Sequence, residues 1–245
     1  MPARFHIDGN ALRSGGELSL PAGAARHVQV LRLQPGERIV VFDGTGGEWD
    51  ATVVQMGRSE VRVRLDAHRA LDRELAVRVT LAFGMPANER LDALVEKATE
   101  LGVARLEPLL CQRSVLRVEG ERARRKRDHL QAVAVAACEQ CGRTLVPDVA
   151  PLRAFGDAVD AWAADGTALF VLSLAAAARP WSQAVAPVVA AGRQLRFVSG
   201  PEGGLSDSEE RTLIAAGAVP VSLGPRTLRA DTAPLMALAA LAAMP

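Results

Sequence analysis

The chain has 245 residues, 49% of them hydrophobic and 23% charged, enough for one large or two smaller domains with real cores. No uncharged apolar run reaches ~18 residues, Met1 to Gly16 lacks the apolar stretch of a signal peptide, and three cysteines (Cys111, Cys138, Cys141) make no disulfide framework. No membrane association and a reducing, cytoplasmic setting are therefore expected, in a nearly neutral protein of net charge +1.

Aromatic residues are sparse, with six Phe, three Trp and no Tyr, so Ala, Val and Leu must fill most of the core. Residues 1 to about 67 read as β-rich. Arg4–Ile7 and Glu37–Asp43 are strand-like, and Asp43-Gly44 opens a hairpin turn into Trp49–Val54. Glu60–Asp66 alternates strictly, which marks one wet face. A helical insert spans Gly23 to Leu33. Several short strands with one helix suggest a small barrel, an architecture that often carries nucleic acid.

The polar stretch His68–Arg73 breaks this pattern and sets a domain boundary. Beyond it strands and helices alternate. Leu75–Phe83, Leu106–Leu110, Ala168–Leu174, Leu195–Ser199 and Val219–Leu223 read as strands. Asn88–Leu101, with Asn88 as N-cap and Gly102 as terminator, reads as a helix. So do Glu121–Gln140, Trp181–Ala191, Ser206–Ala216 and Thr232–Met244. Such alternation predicts an α/β fold, a mostly parallel sheet with helices on both faces. Between Arg105 and Leu130 eight Lys/Arg face four acids. This basic patch suits a polyanion or simply a solvated helix face.

Two loops at strand ends stand out, because ligands of open α/β sheets bind there. The first is Gly200-Pro201-Glu202-Gly203-Gly204, whose glycines allow sharp turns and close approach to a ligand. The helix after it opens with Ser206-Asp207-Ser208-Glu209, a capping-box pattern. Four acids crowd this loop (Glu202, Asp207, Glu209, Glu210), which disfavours a polyphosphate and suits a neutral or cationic nucleoside-like ligand held by backbone groups. The same acids also complement the macrodipole of any helix start. The second loop, Leu223 to Ala233, carries Arg226 and Arg229, able to stabilise developing negative charge or hold a phosphate. Asp231 is placed to cap the last helix. That helix is apolar nearly all round and is expected to be buried in the domain or in a subunit interface. Cys138-Glu139-Gln140-Cys141 has no second pair and no nearby His, so packing is expected of its cysteines rather than metal.

These loops, with Arg4-Phe5, His27-Val28 through Val30-Leu31-Arg32, Phe42-Asp43-Gly44, Glu96 to Val103, Ala137 to Arg143 and Leu223 to Arg229, occur in an order that resembles the RsmE family. That family comprises the uridine-N3 methyltransferases of 16S ribosomal RNA, within the SPOUT (α/β-knot) class. The resemblance implies a PUA-like RNA-binding β-barrel over residues 1–70 and a trefoil-knotted methyltransferase domain over residues 74–245, acting as a homodimer. It implies S-adenosylmethionine held by Leu172 and Leu174, by Gly200, Pro201, Glu202 and Gly203, and by Leu223, Gly224, Leu228 and Arg229. It further implies 16S ribosomal RNA, within the small ribosomal subunit, as the partner, and no metal. Arg229 is expected to stabilise the uridine anion, with Glu139 and Arg143 as candidates to hold the base. Arg4, His27, Arg32, Arg113, Arg117, Arg124, Arg125 and Lys126 are expected to contact RNA. Two departures stand out. Asp231 replaces the family's usual Glu, and Arg90 lies where a Lys is often found. The rival readings are a non-catalytic RNA-binding ribosome-assembly factor and a nicotinamide-dependent oxidoreductase, the latter lacking its glycine fingerprint.

Overall fold

The computed structural model describes residues 2–7, 12, 16–57, 60–163 and 165–244, with Asn88 and Glu89 described by their backbone alone. Two compact units result: Met1–Glu74 with Val135–Val146, and Leu75–Ala134 with Pro147–Pro245.

The first unit is built on a five-stranded sheet. Its elements are β1 (Arg4–His6), β2 (Glu17–Ser19), α1 (Ala22–Val30), β3 (Arg38–Phe42), β4 (Glu48–Met56) and β5 (Val61–Arg69). The strand order is β1-β3-β4-β5-β2, antiparallel except where β1 runs beside β3. Alternation decides what is buried: Val61, Val63 and Leu65 of β5 face inward while Arg64 and Asp66 face solvent. They join Phe5, Ile39, Val41, Ala51, Val53 and the α1 residues Ala25 and Val28 in one apolar cluster. The β3–β4 turn is an Asx-turn in which Thr45 N–H donates to Asp43 Oδ1 at 2.9 Å. Gly44 there has φ +79°, and a Cβ would lie 2.9 Å from Val146 Cγ2. β5 continues through His68 and Arg69, two residues into the polar stretch. β2, with a single apolar residue, carries no readable signal. α1 stops at Val30 rather than Leu33, because Arg32 turns into the left-handed region at φ +56°.

The second unit carries an eight-stranded sheet. In chain order its elements are β6 (Val79–Gly84), α2 (Asn88–Glu100), β7 (Arg105–Leu110), α3 (Gly120–Cys141, whose last turns count with the first unit), β8 (Asp148–Val149), β9 (Arg153–Ala154), α4 (Phe155–Trp162), β10 (Ala168–Leu172), β11 (Arg179–Pro180), α5 (Trp181–Ala184), α6 (Ala186–Ala190), β12 (Leu195–Ser199), α7 (Asp207–Ala215), β13 (Val219–Ser222) and α8 (Thr232–Ala242). The order is β11-β13-β10-β12-β6-β7-β8, with β9 also on β7, and every pair is parallel.

Residues of one strand divide between two cores, as a period of two requires. Leu81 and Phe83 of β6, Phe170 of β10 and Phe197 of β12 pack with α2, α8 and the inner face of α3. Ala82, Val171 and Val198 of the same strands pack on the other face with α4 and α7. The helix expected over Trp181–Ala191 is two short helices. Val185 breaks it, and Pro187 starts a new one because it has no N–H to continue the first. α2 begins at Asn88 itself with Ala87 in the cap position; the Asn88 side chain lies outside the described residues.

Candidate functional site

β13, β10 and β12 lie side by side, so the loops at their carboxyl ends meet. Together they line a cavity of about 650 Å³, within the ~300–1,000 Å³ range of small-molecule sites. All ten residues expected to bind cofactor line it: Leu172, Leu174, Gly200, Pro201, Glu202, Gly203, Leu223, Gly224, Leu228 and Arg229. Ala87 and Arg90, from the start of α2, and Glu210 of α7 complete the wall. Leu172 and Val221 extend the α2-side core to the cavity floor.

The glycine loop is held rigidly. A Cβ on Gly84 would overlap Pro201, and one on Gly200 would overlap the backbone of Gly204 and Leu205, so both positions need glycine. Glu202 Oε1 accepts from Ala87 N–H at 2.7 Å. Arg113 Nη1 donates to the carbonyls of Gly203 and Leu205, both at 3.0 Å. The expected capping box is formed: Glu209 N–H donates to Ser206 Oγ, and Ser206 N–H donates to Glu209 Oε2 at 2.8 Å. Glu209 Oε1 also accepts from Gln112 N–H at 2.7 Å, so this buried carboxylate is a structural tie. Asp207 is exposed and does not line the cavity. Of the four acids, Glu202 and Glu210 face the ligand space, and Ser173 Oγ donates to Glu210 Oε1 at 2.5 Å.

Arg226 and Arg229 are exposed on the cavity wall. The Arg229 carbonyl accepts from the N–H groups of Thr232 and Ala233 at 2.9 and 3.0 Å, which fixes its backbone to the start of α8. Asp231 occupies the cap position, yet its side chain caps nothing. Its backbone is already helical, and Oδ1 sits 3.6 Å from Arg90 Nη1 without a hydrogen bond. An ion pair with Arg90 therefore replaces the expected cap.

Glu139 and Arg143 belong to the first unit and do not line the cavity. Glu139 Oε1 accepts from His6 N–H at 2.8 Å, and Oε2 lies 3.9 Å from His27 Nδ1. Arg143, 4% exposed, is bidentate on Glu74, and its carbonyl accepts from Arg4 Nη2 at 3.0 Å. Arg4 itself pairs with Glu48, which also accepts from Arg69 at 2.7 Å. Removing two charges from water is costly unless they pair this way. The guanidinium groups of Arg4 and Arg143 are thus held inside the unit rather than offered to RNA or a base. His27 and Arg32 are exposed at the end of α1.

The basic stretch divides by role. Arg113 braces the glycine loop, and Lys126 Nζ lies 3.6 Å from Asp92. Arg117, Arg124 and Arg125 are exposed, the last two paired with Glu121 on their own helix. Cys138 is buried, and burial pushes its thiol up to about 12, which suits a packed apolar group. Among the described residues no group of three or more His, Cys, Asp or Glu side chains is placed to hold a metal, and no helix is long and apolar enough to cross a membrane.

Ser199 immediately precedes the glycine loop, and the sequence alone assigns it no role. Ser199 lines the cavity, and its hydroxyl is buried without a hydrogen-bond partner. The signal was a polar residue at the end of the apolar face Leu195–Phe197.

Comparison with known proteins gives a consistent set of relatives. A family model described as the RNA methyltransferase domain matches residues 73–242, and one described as the RNA methyltransferase PUA domain matches residues 20–66. Ribosomal RNA small subunit methyltransferase E of Synechocystis sp. is 34% identical over 216 residues, 88% of this chain and 69% of that protein. The protein of the same name from Bacillus subtilis is 30% identical over 87% of this chain and 84% of its own. Among solved structures, ribosomal RNA small subunit methyltransferase E from Neisseria gonorrhoeae, bound to S-adenosyl methionine, superposes with a TM-score of 0.91 at 32% identity, covering 98% of this chain and 97% of that one. A putative methyltransferase from Legionella pneumophila, in complex with the same cofactor, gives 0.90 at 30% identity over 98% and 97% of the two chains.

Proposed function

The chain belongs to the ribosomal RNA small subunit methyltransferase E family of RNA methyltransferases, and on that premise we propose that it methylates N3 of a uridine in 16S ribosomal RNA, with S-adenosylmethionine as donor. The observation that carries this reading is the cavity itself. Three strand-end loops converge on a space of about 650 Å³, with a glycine loop whose Gly200 admits no Cβ and a buried serine hydroxyl without a partner. Such a site fits a nucleoside-bearing ligand.

When bound, the cofactor supplies an electrophilic methyl group on a sulfonium. The residues of the chain do the rest. Gly200 to Gly204 bring backbone against the ligand. Leu172, Val221 and Leu228 exclude water from its apolar faces. Glu202 and Glu210 set a negative potential that favours a cation.

The uridine imide must lose its N3 proton before it can attack, and a carboxylate or a water takes that proton. Arg229, exposed at the cavity and without an ion pair among the described residues, stabilises the resulting anion. Glu139 and Arg143 are engaged inside the first unit, so the anion is assigned to Arg229 alone.

Arg117, Arg124 and Arg125, with His27 and Arg32, supply contacts to RNA phosphates. The protein works in the cytoplasm on RNA of the small ribosomal subunit. It does so as a homodimer joined through the apolar outer face of α8, where Met236 is 40% exposed.

The test has two arms. Calorimetry with S-adenosylmethionine should give a single site per chain. In a strain lacking the protein, mass spectrometry of 16S ribosomal RNA should show loss of one N3-methyluridine. Arg229→Ala should restore less than about a hundredth of the initial methylation rate while binding the cofactor within several-fold of wild type. Equal turnover would remove Arg229 from the chemistry, and an unchanged methylation map would remove the activity.

A further inference from the structure

The Ser199 hydroxyl is chemically unexplained by the fold. It is 4% exposed, sits at the end of a strand paired on both sides, and forms no hydrogen bond. Two other hydroxyls at or beside the cavity wall are engaged: Ser173 donates to Glu210, and Ser222 donates to the Gly224 carbonyl at 3.4 Å. A buried polar group left without a partner destabilises the protein that keeps it. Alanine at the same place would fill almost the same volume without that penalty. Ser199 points the way Leu195 and Phe197 do, onto the face whose core forms the cavity floor with Leu172 and Val221.

We infer that Ser199 is a ligand-binding residue, its hydroxyl completing a hydrogen bond with the nucleoside part of the bound cofactor. The assignment to the nucleoside follows from charge and depth. Leu195 and Phe197, on the same strand face as Ser199, belong to the apolar core that reaches the cavity through Leu172 and Val221, a setting where the flat faces of a purine lose water favourably. The ammonium and carboxylate of the amino-acid part need charged or solvated surroundings, which the exposed Glu202, Arg226 and Arg229 of the cavity wall supply. A hydroxyl both donates and accepts, so it suits a neutral ring edge or a sugar hydroxyl. This rests on the methyltransferase reading above.

The test compares wild type, Ser199→Ala and Ser199→Cys by calorimetry with two probes, S-adenosylmethionine and 5′-methylthioadenosine, and by thermal melting without ligand. Ser199→Ala should bind both probes about five- to tenfold more weakly, the loss of one hydrogen bond. Ser199→Cys, a poor donor of similar shape, should fall between. Without ligand, Ser199→Ala should melt no lower than wild type, because it deletes an unsatisfied group.

Equal affinity of wild type and Ser199→Ala for both probes overturns the inference while leaving the methyltransferase reading intact. So does a lowered melting temperature of the ligand-free variant, which would make the hydroxyl a structural group. A loss confined to S-adenosylmethionine overturns the placement on the nucleoside. Failure of wild type to bind either probe overturns the methyltransferase reading, and the inference with it.

Discussion

Arg32 shows what one residue can disclose about use. Its N–H donates to the Gln29 carbonyl and the N–H of Leu33 to that of Val28, the paired bonds of a Schellman motif. The residue at that turn has φ +56°, where glycine is at ease and a side chain is strained by ~1–2 kcal/mol. Its guanidinium is exposed, and a contact with RNA phosphate is the role proposed for it. Arg32→Gly should therefore stabilise the protein by about 1 kcal/mol in urea unfolding while weakening its affinity for a 16S ribosomal RNA fragment. A destabilised glycine variant would contradict the strain argument. The ion pairs around Glu48 and Glu74 teach the opposite lesson: Arg4 and Arg143 have charges suited to RNA or a base, yet both are held inside.

At the scale of elements, the glycine loop depends on the end of β6 as much as on its own sequence. Gly84 leaves room for Pro201, and a methyl group there would force backbone atoms apart. Gly84→Ala should cost ~1–3 kcal/mol in chemical denaturation, typical of overpacking, and should weaken S-adenosylmethionine binding at the same time. Unaltered binding would show that the loop can shift without harm. Nothing in the sequence around Gly84 advertises this contact, because it joins residues far apart in the chain. Elements that declare themselves locally were legible. The strands β6, β7, β10, β12 and β13, the capping box at Ser206 and the two loops beside the cavity all follow from periodicity and turn chemistry. The helix α4 was readable but unread: Phe155, Ala158, Val159 and Trp162 stand at helical spacing, and all four are buried. The two-residue strands β8, β9 and β11 are too short for any period to show, and the strand order lies beyond periodicity altogether. The role of Ser199 was equally hidden, since a serine in a strand means nothing until its surroundings are known.

The outer face of α8 is a property of the whole molecule. Pro234, Ala237, Leu238 and Leu241 are buried, but Met236 and Ala239 face outward from a helix that is apolar nearly all round. Such a face on a lone chain would be a liability, and small residues on it allow a second helix to approach closely. The proposed homodimer predicts that Met236→Glu shifts sedimentation from dimer to monomer, because a charge would be buried on each side of a two-fold contact. An unchanged sedimentation coefficient would place the interface elsewhere. The sheet order also has a consequence for synthesis. The core of the first sheet is drawn from Phe5 to Leu65, so it can close soon after that stretch leaves the ribosome. In the second sheet Val79 pairs with Leu195, 116 positions further on. At a translation rate of ~5–20 residues per second, the apolar edge of β6 waits on the order of ten seconds for its partner. During that interval the backbone edge of β6 that will meet β12 is unpaired and the apolar side chains of Val79, Leu81 and Phe83 lack their full cover, which opens the nascent chain to misassembly.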